Sequence, residues 1–176
     1  MAKLRAYNGH LSILAVAAVS IAPLIVGPFI ALHPLIVFNG SGSAPLGFYR
    51  IDDRPPRLGE TVVVRPSKAT EGFLVERGFL PAGVPLLKRV AGVVGDEICR
   101  YGTVISINRA DVEEALEHDN LGRPMPVWQG CRTLAEGEFF LLQPHPYSID
   151  SRYFGPVSEC EIVGVATPLW TWNPDD

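Results

Sequence analysis

The sequence holds few charged residues and no stretch dense in positive charge. Charged residues make up 19% of the 176 residues, and the formal net charge is −4 at pH 7. Proteins that bind nucleic acids carry a basic face, so we do not expect nucleic acid as a partner. The three cysteines form no CxxC pair and therefore no zinc motif, and we expect neither a metal nor another cofactor.

The cysteines still allow one disulfide if the protein resides in an oxidising compartment. Cys99 and Cys131 each follow a turn, in the stretches GDEIC and WQGC, and we favour that pair. Cys160 would then be the free thiol. The sequence leaves the other pairings open.

Histidine is scarce too, which limits the bases that a serine nucleophile could use. Of the four histidines, only His145 lies where a site outside a membrane could use it, and prolines flank it on both sides. That setting is typical of a surface turn. A Ser-His-Asp triad is therefore not favoured, and the G-x-S-x-G pattern of nucleophile elbows is missing around Ser43.

What the sequence does have is a long uncharged run near its N-terminus. Residues 11–32 carry no formal charge, and a helix of these 22 residues would span about 33 Å, enough for a hydrocarbon core of about 30 Å. Lys3 and Arg5 precede the run, so the positive-inside rule places the N-terminus in the cytoplasm. We expect a single-pass anchor in the inner membrane, with the rest of the chain in the periplasm.

A cleaved signal peptide is the alternative interpretation of this run. Signal peptides have apolar cores of roughly 7–15 residues and a small-x-small cleavage site. This core is longer, and no convincing site of that kind precedes a polar start. The expected domains are therefore a cytoplasmic tip with a transmembrane anchor over residues 1–38 and a periplasmic catalytic domain over residues 39–176.

The remainder of the chain is typical of β-strands at short intervals. Its 17 glycines and 16 prolines favour turns over long helices. Strands are predicted within residues 57–66, 84–100 (two strands), 101–109, 137–144 and 158–170. Only residues 110–118 resemble a helix. This pattern predicts a mainly β fold, a sandwich or a barrel.

The stretch EGFLVERGFLPAGVPLL, residues 71–87, places four large apolar residues among turn residues. These are Phe73, Leu74, Phe79 and Leu80. They could form part of an ordinary core, or they could lie on a loop that dips into the bilayer surface. The sequence favours the first interpretation and leaves the second open.

Lys88 interrupts an otherwise apolar strand, GVPLLKRVAGVV. Alternation places Lys88 and Arg89 on opposite faces, so one of them points the same way as Val90. Burial disfavours the charged ammonium, and lowering the pKa from about 10.4 to about 7 requires about 4.6 kcal/mol. A buried strand can supply that much. A lysine that extends its stem to water is the alternative.

Four motifs now stand in order behind the apolar run. They are SGSAPLG at 41–47, RLGETVVV at 57–64, LLKRVAGVVGDEI at 86–98 and SIDSRYFGPVSECEIVGVA at 148–166. Together they resemble the type I signal peptidases, membrane-anchored Ser/Lys proteases, over most of residues 35–166. The resemblance implies an antiparallel β domain of the signal-peptidase kind behind one transmembrane helix.

The sequence departs from general signal peptidases at two motifs, and both departures point to one group within the family. General signal peptidases usually place a methionine after the serine, whereas here the chain has SAPLG, and their GDN motif is replaced by LLQPHPY. Both features are similar to the conjugative-transfer peptidases of the TraF type. The missing GDN leaves the architecture behind the last motif open.

The resemblance also implies roles for individual residues. Ser43 matches the nucleophile, and Ser41 matches a hydroxyl that helps the Ser43 backbone N–H to hold the oxyanion. Lys88 matches the general base, and Ser148 matches the serine that orients its amine.

Asp150 and Arg152 match an ion pair that supports the site. A structural salt bridge is the favoured interpretation, although the aspartate has been considered catalytically important in the conjugative subclass. Because an unpaired carboxylate would stabilise the charged form of Lys88, Asp150 should pair with Arg152 and stay away from the amine.

The function implied is acyl transfer through a serine ester by a membrane-anchored Ser/Lys peptidase. It would process the conjugative pilin precursor, and known members join the ends of that subunit into a ring. The expected partners are a membrane-embedded propilin or other exported precursor, adding as an extended strand, and the lipid bilayer. A general signal peptidase and a non-catalytic pilus-assembly scaffold remain alternatives, and the residues do not decide between hydrolysis and ring closure.

Overall fold

The computed structural model describes residues 13–21 and 36–173. The chain divides into two units, Met1–Pro34 and Leu35–Asp176. Residues 13–21 are helical (α1), and within the described ranges no helix is both long and apolar enough to cross a membrane. Most of the predicted anchor at 11–32 lies outside the described residues, and it stays a prediction.

The second unit is built around a seven-stranded antiparallel sheet. Its strands are β1 (Ile36–Asn39), β2 (Leu46–Asp52), β3 (Thr61–Val64), β4 (Leu86–Gly92), β9 (Glu138–Leu142), β10 (Val157–Ser158) and β11 (Ile162–Trp172). Their spatial order is β1-β2-β11-β3-β4-β9-β10. The C-terminal strand β11 is therefore inserted between β2 and β3.

A smaller sheet has four strands in the order β7-β6-β5-β8. They are β5 (Glu97–Tyr101), β6 (Val104–Ile107), β7 (Ala110–Glu114) and β8 (Gly130–Thr133). Two α-helices, α2 (Lys68–Glu76) and α3 (Ser151–Phe154), and a 3-10 helix at Glu159–Glu161 complete the described unit. The prediction of a mainly β, antiparallel architecture is confirmed.

Strand β3 lies at the centre of the larger sheet with both faces covered. Val62 and Val64 pack on one face in a cluster with Val90, and Val63 packs on the other face beside Tyr49. A strand buried on both sides needs no polar alternation. The continuous TVVV run therefore predicts β3 well.

The two sheets meet through a second apolar cluster. Ile98 and Ile105 from the smaller sheet pack with Phe140 of β9. The approach is close at Gly92, where a Cβ would lie 3.1 Å from both Ile98 Cδ1 and Phe140 Cβ. A side chain at this position would push the sheets apart.

Two expectations about helices are wrong. Residues 110–118 do not form a helix, because Ala110–Glu114 pair with β6 as strand β7, and this pairing outweighs the local helix propensity. Helix α2 was not expected, although Ser67 caps it by accepting the backbone N–H of Thr70 at 3.2 Å. Gly72 within α2 weakens the helical pattern.

Helix α2 and the residues that follow it belong to the core. Leu74 is buried, and Phe73 and Phe79 lie 5.9 Å apart between ring centroids and pack against Met125 and Tyr153. The core interpretation of residues 71–87 is confirmed for these three side chains. A loop that dips into the bilayer with them does not fit this packing.

Cys99 and Cys131 form a disulfide, as favoured from the sequence. They lie directly opposite each other on the paired strands β5 and β8. Cys160 is free and exposed. The bond ties the edge strand β8 to the rest of the smaller sheet.

Candidate active site

Lys88 lies on the buried face of β4. It pairs across the ladder with Val62, and only 4% of its surface is exposed. Arg89 points to the opposite face, is exposed, and donates from Nε to the Gly59 carbonyl at 3.1 Å. The predicted alternation is therefore confirmed, with the lysine as the inward member.

The Lys88 amine has one hydrogen-bond partner in the described part of the chain. Nζ lies 2.8 Å from Ser148 Oγ, and Ser148 is itself 2% exposed. The segment that carries Ser148 follows β9, which lies beside β4 in the sheet. Ladder order thus brings together two residues that lie 60 positions apart in the sequence.

Burial lowers the pKa of the Lys88 amine from its ordinary 10.5 to about 8. The Asp150 charge acts against this shift, and the Arg152 charge adds to it. The reduction is smaller than the fall to about 7 considered from the sequence. At pH 7 a base with this pKa is roughly one-tenth neutral, far more than a solvated lysine.

Asp150 and Arg152 form a fully buried ion pair. Arg152 Nε donates to Asp150 Oδ1 at 2.9 Å, and Nη2 donates to Oδ2 at 2.8 Å. Neither side chain is exposed to solvent. Two parallel charge-assisted hydrogen bonds hold the carboxylate on the guanidinium. This pairing agrees with the prediction that Asp150 pairs with Arg152 and not with the Lys88 amine.

The region that replaces the GDN motif supports the same segment through its backbone. The N–H of Gln143 donates to Asp150 Oδ2 at 3.1 Å, and the N–H of Leu141 donates to Ser151 Oγ at 3.0 Å. Strand β9 and the residue after it therefore hold the segment with backbone donors. Such contacts do not depend on a particular side-chain motif.

The two serines of the SGS motif lie together in the turn between β1 and β2. Ser41 Oγ and Ser43 Oγ are 3.3 Å apart. Ser41 is exposed and Ser43 is half-buried, so both hydroxyls can be reached from solvent. The hydroxyls are close enough to act on one substrate group.

Asn39 organises this turn and was not singled out from the sequence. Its Nδ2 donates to the carbonyls of Ser41, Ala44 and Pro45 at 3.0, 3.1 and 3.0 Å. Its Oδ1 accepts from the backbone N–H of Ser41 at 3.2 Å and from the Ser41 hydroxyl at 3.0 Å. An asparagine directly before Gly-Ser is the signal for an Asx turn, and it could have indicated this role.

The predicted site residues fall into two groups. Lys88, Ser148 and the Asp150–Arg152 pair form one connected group, and the two serines of the SGS motif form the other. Among the described residues, no hydrogen bond joins Ser43 to Lys88. Catalytic hydrogen bonds are often long without substrate and tighten only in the complex.

Other catalytic arrangements find less support in the residues that the structure describes. His145 is exposed, and its Nδ1 accepts from the Tyr147 backbone N–H at 3.2 Å. Within 13–21 and 36–173, no group of three or more metal-ligating side chains is placed to hold an ion. The buried lysine remains the strongest candidate for a base.

Comparisons with known proteins agree with one another. Residues 10–172 match the family model described as signal peptidase, peptidase S26. The chain is 34% identical over 148 residues to a probable conjugal transfer protein TraF of Sinorhizobium fredii, covering 77% of each chain. It is 31% identical over 145 residues to the plasmid transfer protein TraF of Escherichia coli, covering 76% of this chain and 82% of that protein.

The chain is also similar to one further relative and to one solved structure. The conjugal transfer protein TraF of Agrobacterium fabrum is 30% identical over 148 residues, which are 77% of this chain and 82% of that one. A signal peptidase I from Enterococcus faecalis V583 is 20% identical, with a TM-score of 0.37 over 64% of this chain and 97% of that chain. The likeness to that structure is too low to support an argument.

Proposed function

The chain belongs to the S26 family of signal peptidases, in its TraF-type group, and we propose that it is a Ser/Lys endopeptidase with Ser43 as nucleophile and Lys88 as general base. One observation carries this proposal. Lys88 is buried in an apolar strand, its pKa is lowered by that burial, and its amine is held by Ser148. A lysine kept partly neutral at neutral pH is what a serine nucleophile needs when no histidine serves it.

The proposed reaction is acyl transfer. Neutral Lys88 takes the proton of the Ser43 hydroxyl as Oγ attacks the scissile carbonyl carbon. The C–N bond then breaks, and the lysine ammonium returns the proton to the leaving amine. The product is a serine ester, which a water or an amine of the substrate attacks to release the enzyme.

Ser41 is proposed to help hold the oxyanion of this reaction. Its hydroxyl lies 3.3 Å from Ser43 Oγ and is positioned by Asn39. Removing one oxyanion donor typically lowers the rate by about 10²–10³-fold. The dyad itself requires that the turn between β1 and β2 bring Ser43 within reach of Lys88 when substrate binds.

We also propose that the catalytic unit works at a membrane surface, in the periplasm behind an inner-membrane anchor. An aromatic cluster supports this: Phe38, Phe48, Trp170 and Trp172 are partly exposed and neighbour one another, with ring centroids 5.1–6.4 Å apart. Tryptophan is favoured where one side meets lipid and the other meets water. The cluster lies on β1, β2 and the end of β11, next to the turn that holds Ser43.

The proposed substrate is the conjugative pilin precursor. The relatives are named for conjugal and plasmid transfer, and their similarity covers three quarters of this chain. A substrate embedded in the bilayer would present its scissile bond near the surface where the aromatic cluster lies. Hydrolysis and ring closure share the same ester, and a held substrate amine would favour ring closure through its effective concentration.

The experiment is processing of membrane-embedded propilin by the full chain. We expect Ser43→Ala and Lys88→Ala to abolish processing, whereas Lys68→Ala, at an exposed lysine on α2, should keep it. Full processing by either site variant would refute the dyad. Lys88→Arg separates an enzyme from a scaffold, because arginine cannot deprotonate and only a scaffold would tolerate it.

A general signal peptidase that releases secreted proteins is the rival within the same family. It would use the same dyad, so the variants above do not separate the two. Supplying a secreted precursor in place of the propilin does. We expect the propilin to be cut and the secreted precursor to be left intact.

A further inference from the structure

The Arg152 guanidinium is held at both of its ends. Nε and Nη2 face Asp150, and Nη2 also donates to the carbonyls of Gln143 and His145 at 2.7 and 3.1 Å. Nη1 has a single hydrogen-bond partner in the described part of the chain, Glu113 Oε2 at 3.2 Å. Glu113 is therefore a second carboxylate on an arginine that already has one.

Glu113 reaches this position from the edge of the smaller sheet. The β6–β7 ladder shifts register between Ile105 and Ser106, which leaves Val112 without a partner on β6. A bulge of this kind re-aims the side chains beside it. Val112 and Glu114 are exposed, whereas only 24% of the Glu113 side chain is.

We propose that Glu113 is a positioning residue for Lys88, a proposal that rests on the catalytic role proposed above for that lysine. By holding Nη1 of Arg152, Glu113 fixes the guanidinium with its opposite edge on Asp150. The Asp150 carboxylate then stays paired with Arg152 and does not turn its charge toward the Lys88 amine.

Within the described part of the chain, two charged groups act on the pKa of the Lys88 amine. Asp150 favours its protonated form and Arg152 its neutral form. Val62 on β3 is the cross-strand partner of Lys88, and it belongs with Leu141 of β9 to a buried apolar cluster. Whatever changes the Asp150–Arg152 pairing therefore acts directly on the proton affinity of Lys88.

Two other polar contacts lie near Arg152 in the described residues. Arg100 of β5 donates from Nη1 to the Arg152 carbonyl at 2.6 Å, and the Tyr153 hydroxyl accepts the backbone N–H of Leu116 at 3.0 Å. Arg100 holds the backbone and not the guanidinium. Among the described residues, Glu113 is the one hydrogen-bond partner of Nη1, whereas Asp150 and the carbonyls of Gln143 and His145 hold the other edge of the guanidinium.

Removal of Glu113 would have two opposing effects. Loss of its negative charge alone would favour the neutral amine, but Glu113 borders an open groove of about 490 Å³, where water screens its charge. Loss of the acceptor leaves Nη1 unsatisfied inside the protein and loosens Arg152 on Asp150. Asp150 is fully buried and its charge is not screened, so we expect the second effect to win.

The test is a titration of Lys88 by NMR in full-length Ser43→Ala protein in detergent, with labelled lysine. The chain has three lysines, so assignment needs only Lys3 and Lys68 variants. We expect Glu113→Ala to raise the Lys88 pKa by about one unit. Glu113→Gln, which keeps an acceptor for Nη1, should raise it much less.

Glu114→Ala is the matched control, because Glu114 is the exposed neighbour with the same charge, and it should leave the titration unchanged. If Glu113→Ala fails to fold, Glu113→Thr keeps the strand propensity, removes the reach to Nη1, and carries the same expectation. An unchanged or lowered Lys88 pKa in the folded variant would overturn the proposal. So would equal shifts in Glu113→Ala and Glu113→Gln, or in Glu113→Ala and Glu114→Ala.

A second measurement separates this proposal from the proposed function. In protein that retains Ser43, the acid limb of the processing pH profile should move with the Lys88 pKa in Glu113→Ala. If the Lys88 pKa shifts in Glu113→Ala and the processing pH profile does not, Glu113 still acts on Lys88 through Arg152, but Lys88 is not the base. Failure of the dyad and failure of the positioning role therefore give different results.

Discussion

The Oγ of Ser148 lies 2.8 Å from the Nζ of Lys88, with both side chains buried. A serine hydroxyl can donate to a neutral amine as well as accept from an ammonium, so this contact fixes the amine in either protonation state. A carboxylate at the same place would instead favour the ammonium. Ser148 therefore sets the position of the Lys88 amine, whereas burial mainly sets its proton affinity.

The first prediction concerns the pH dependence of processing. Only neutral Lys88 can accept the Ser43 proton, and its pKa is about 8. We expect kcat/KM to rise with pH, to level off above about 8, and to fall tenfold for each unit below it. A limb near the ordinary value of 10.5, or none at all, would contradict the assignment of Lys88 as base.

The second prediction is that Lys88→Met makes the protein more stable near neutral pH. The folded pKa of about 8 lies below the ordinary 10.5, so between these values the unfolded chain binds more protons, and stability rises with pH. Below that window both states carry the proton, and the buried charge costs about 3 kcal/mol.

Methionine removes this charge while filling a similar volume, although it leaves the Ser148 hydroxyl without its partner. We expect a net gain of about 1–3 kcal/mol in the free energy of unfolding at neutral pH. Urea unfolding of both proteins across the pH range measures it. The gain should shrink as the pH rises, and a gain that does not vary with pH would point to packing and not to charge.

The parts of the site predicted from the sequence are those that local patterns specify. Lys88 stands out because a charge interrupts an apolar strand, and alternation predicts that Lys88 and Arg89 lie on opposite faces of that strand. The Asp150–Arg152 pair is two residues apart and follows from one motif. These features need no knowledge of how distant segments meet.

The parts that were missed or misjudged depend on tertiary contacts. The stretch ADVEEALEH contains good helix formers, yet its state is decided by pairing with β6. Glu113 looks like one of several solvated acids until the bulge turns it toward Arg152. Asn39 can hold the serine turn only because the turn after β1 places three carbonyls within hydrogen-bond distance of its side-chain amide.

The third prediction concerns Asn39, whose amide holds three carbonyls and one hydroxyl of the serine turn. Asn39→Ala should lower processing by about 10–100-fold, because misplacing a nucleophile by about 1 Å can have an effect of that size. Asn39→Asp should be at least as damaging, since it sets an oxygen against the carbonyls. Asn120→Ala, at an exposed position, is the control.

Kinetics of the Asn39 variants should show the loss in kcat more than in KM, because the turn positions the reacting group. Their fold can be checked by thermal unfolding. Normal processing by Asn39→Ala would mean that the turn is held by other contacts, such as the Tyr49 hydroxyl on the Pro45 carbonyl at 2.7 Å.

The last prediction concerns the aromatic cluster and the proposed membrane surface. The chain has three tryptophans, so versions that keep a single one are simple to make with phenylalanine at the other two. In vesicles of brominated lipid, fluorescence from Trp170 and Trp172 should be quenched, because both are exposed within the cluster. Trp128 should keep its emission, since it is half-buried with its ring centroid 6.1 Å from that of Phe140. Equal quenching of all three, or strong quenching of Trp128 alone, would mean that a different face of this unit meets the bilayer.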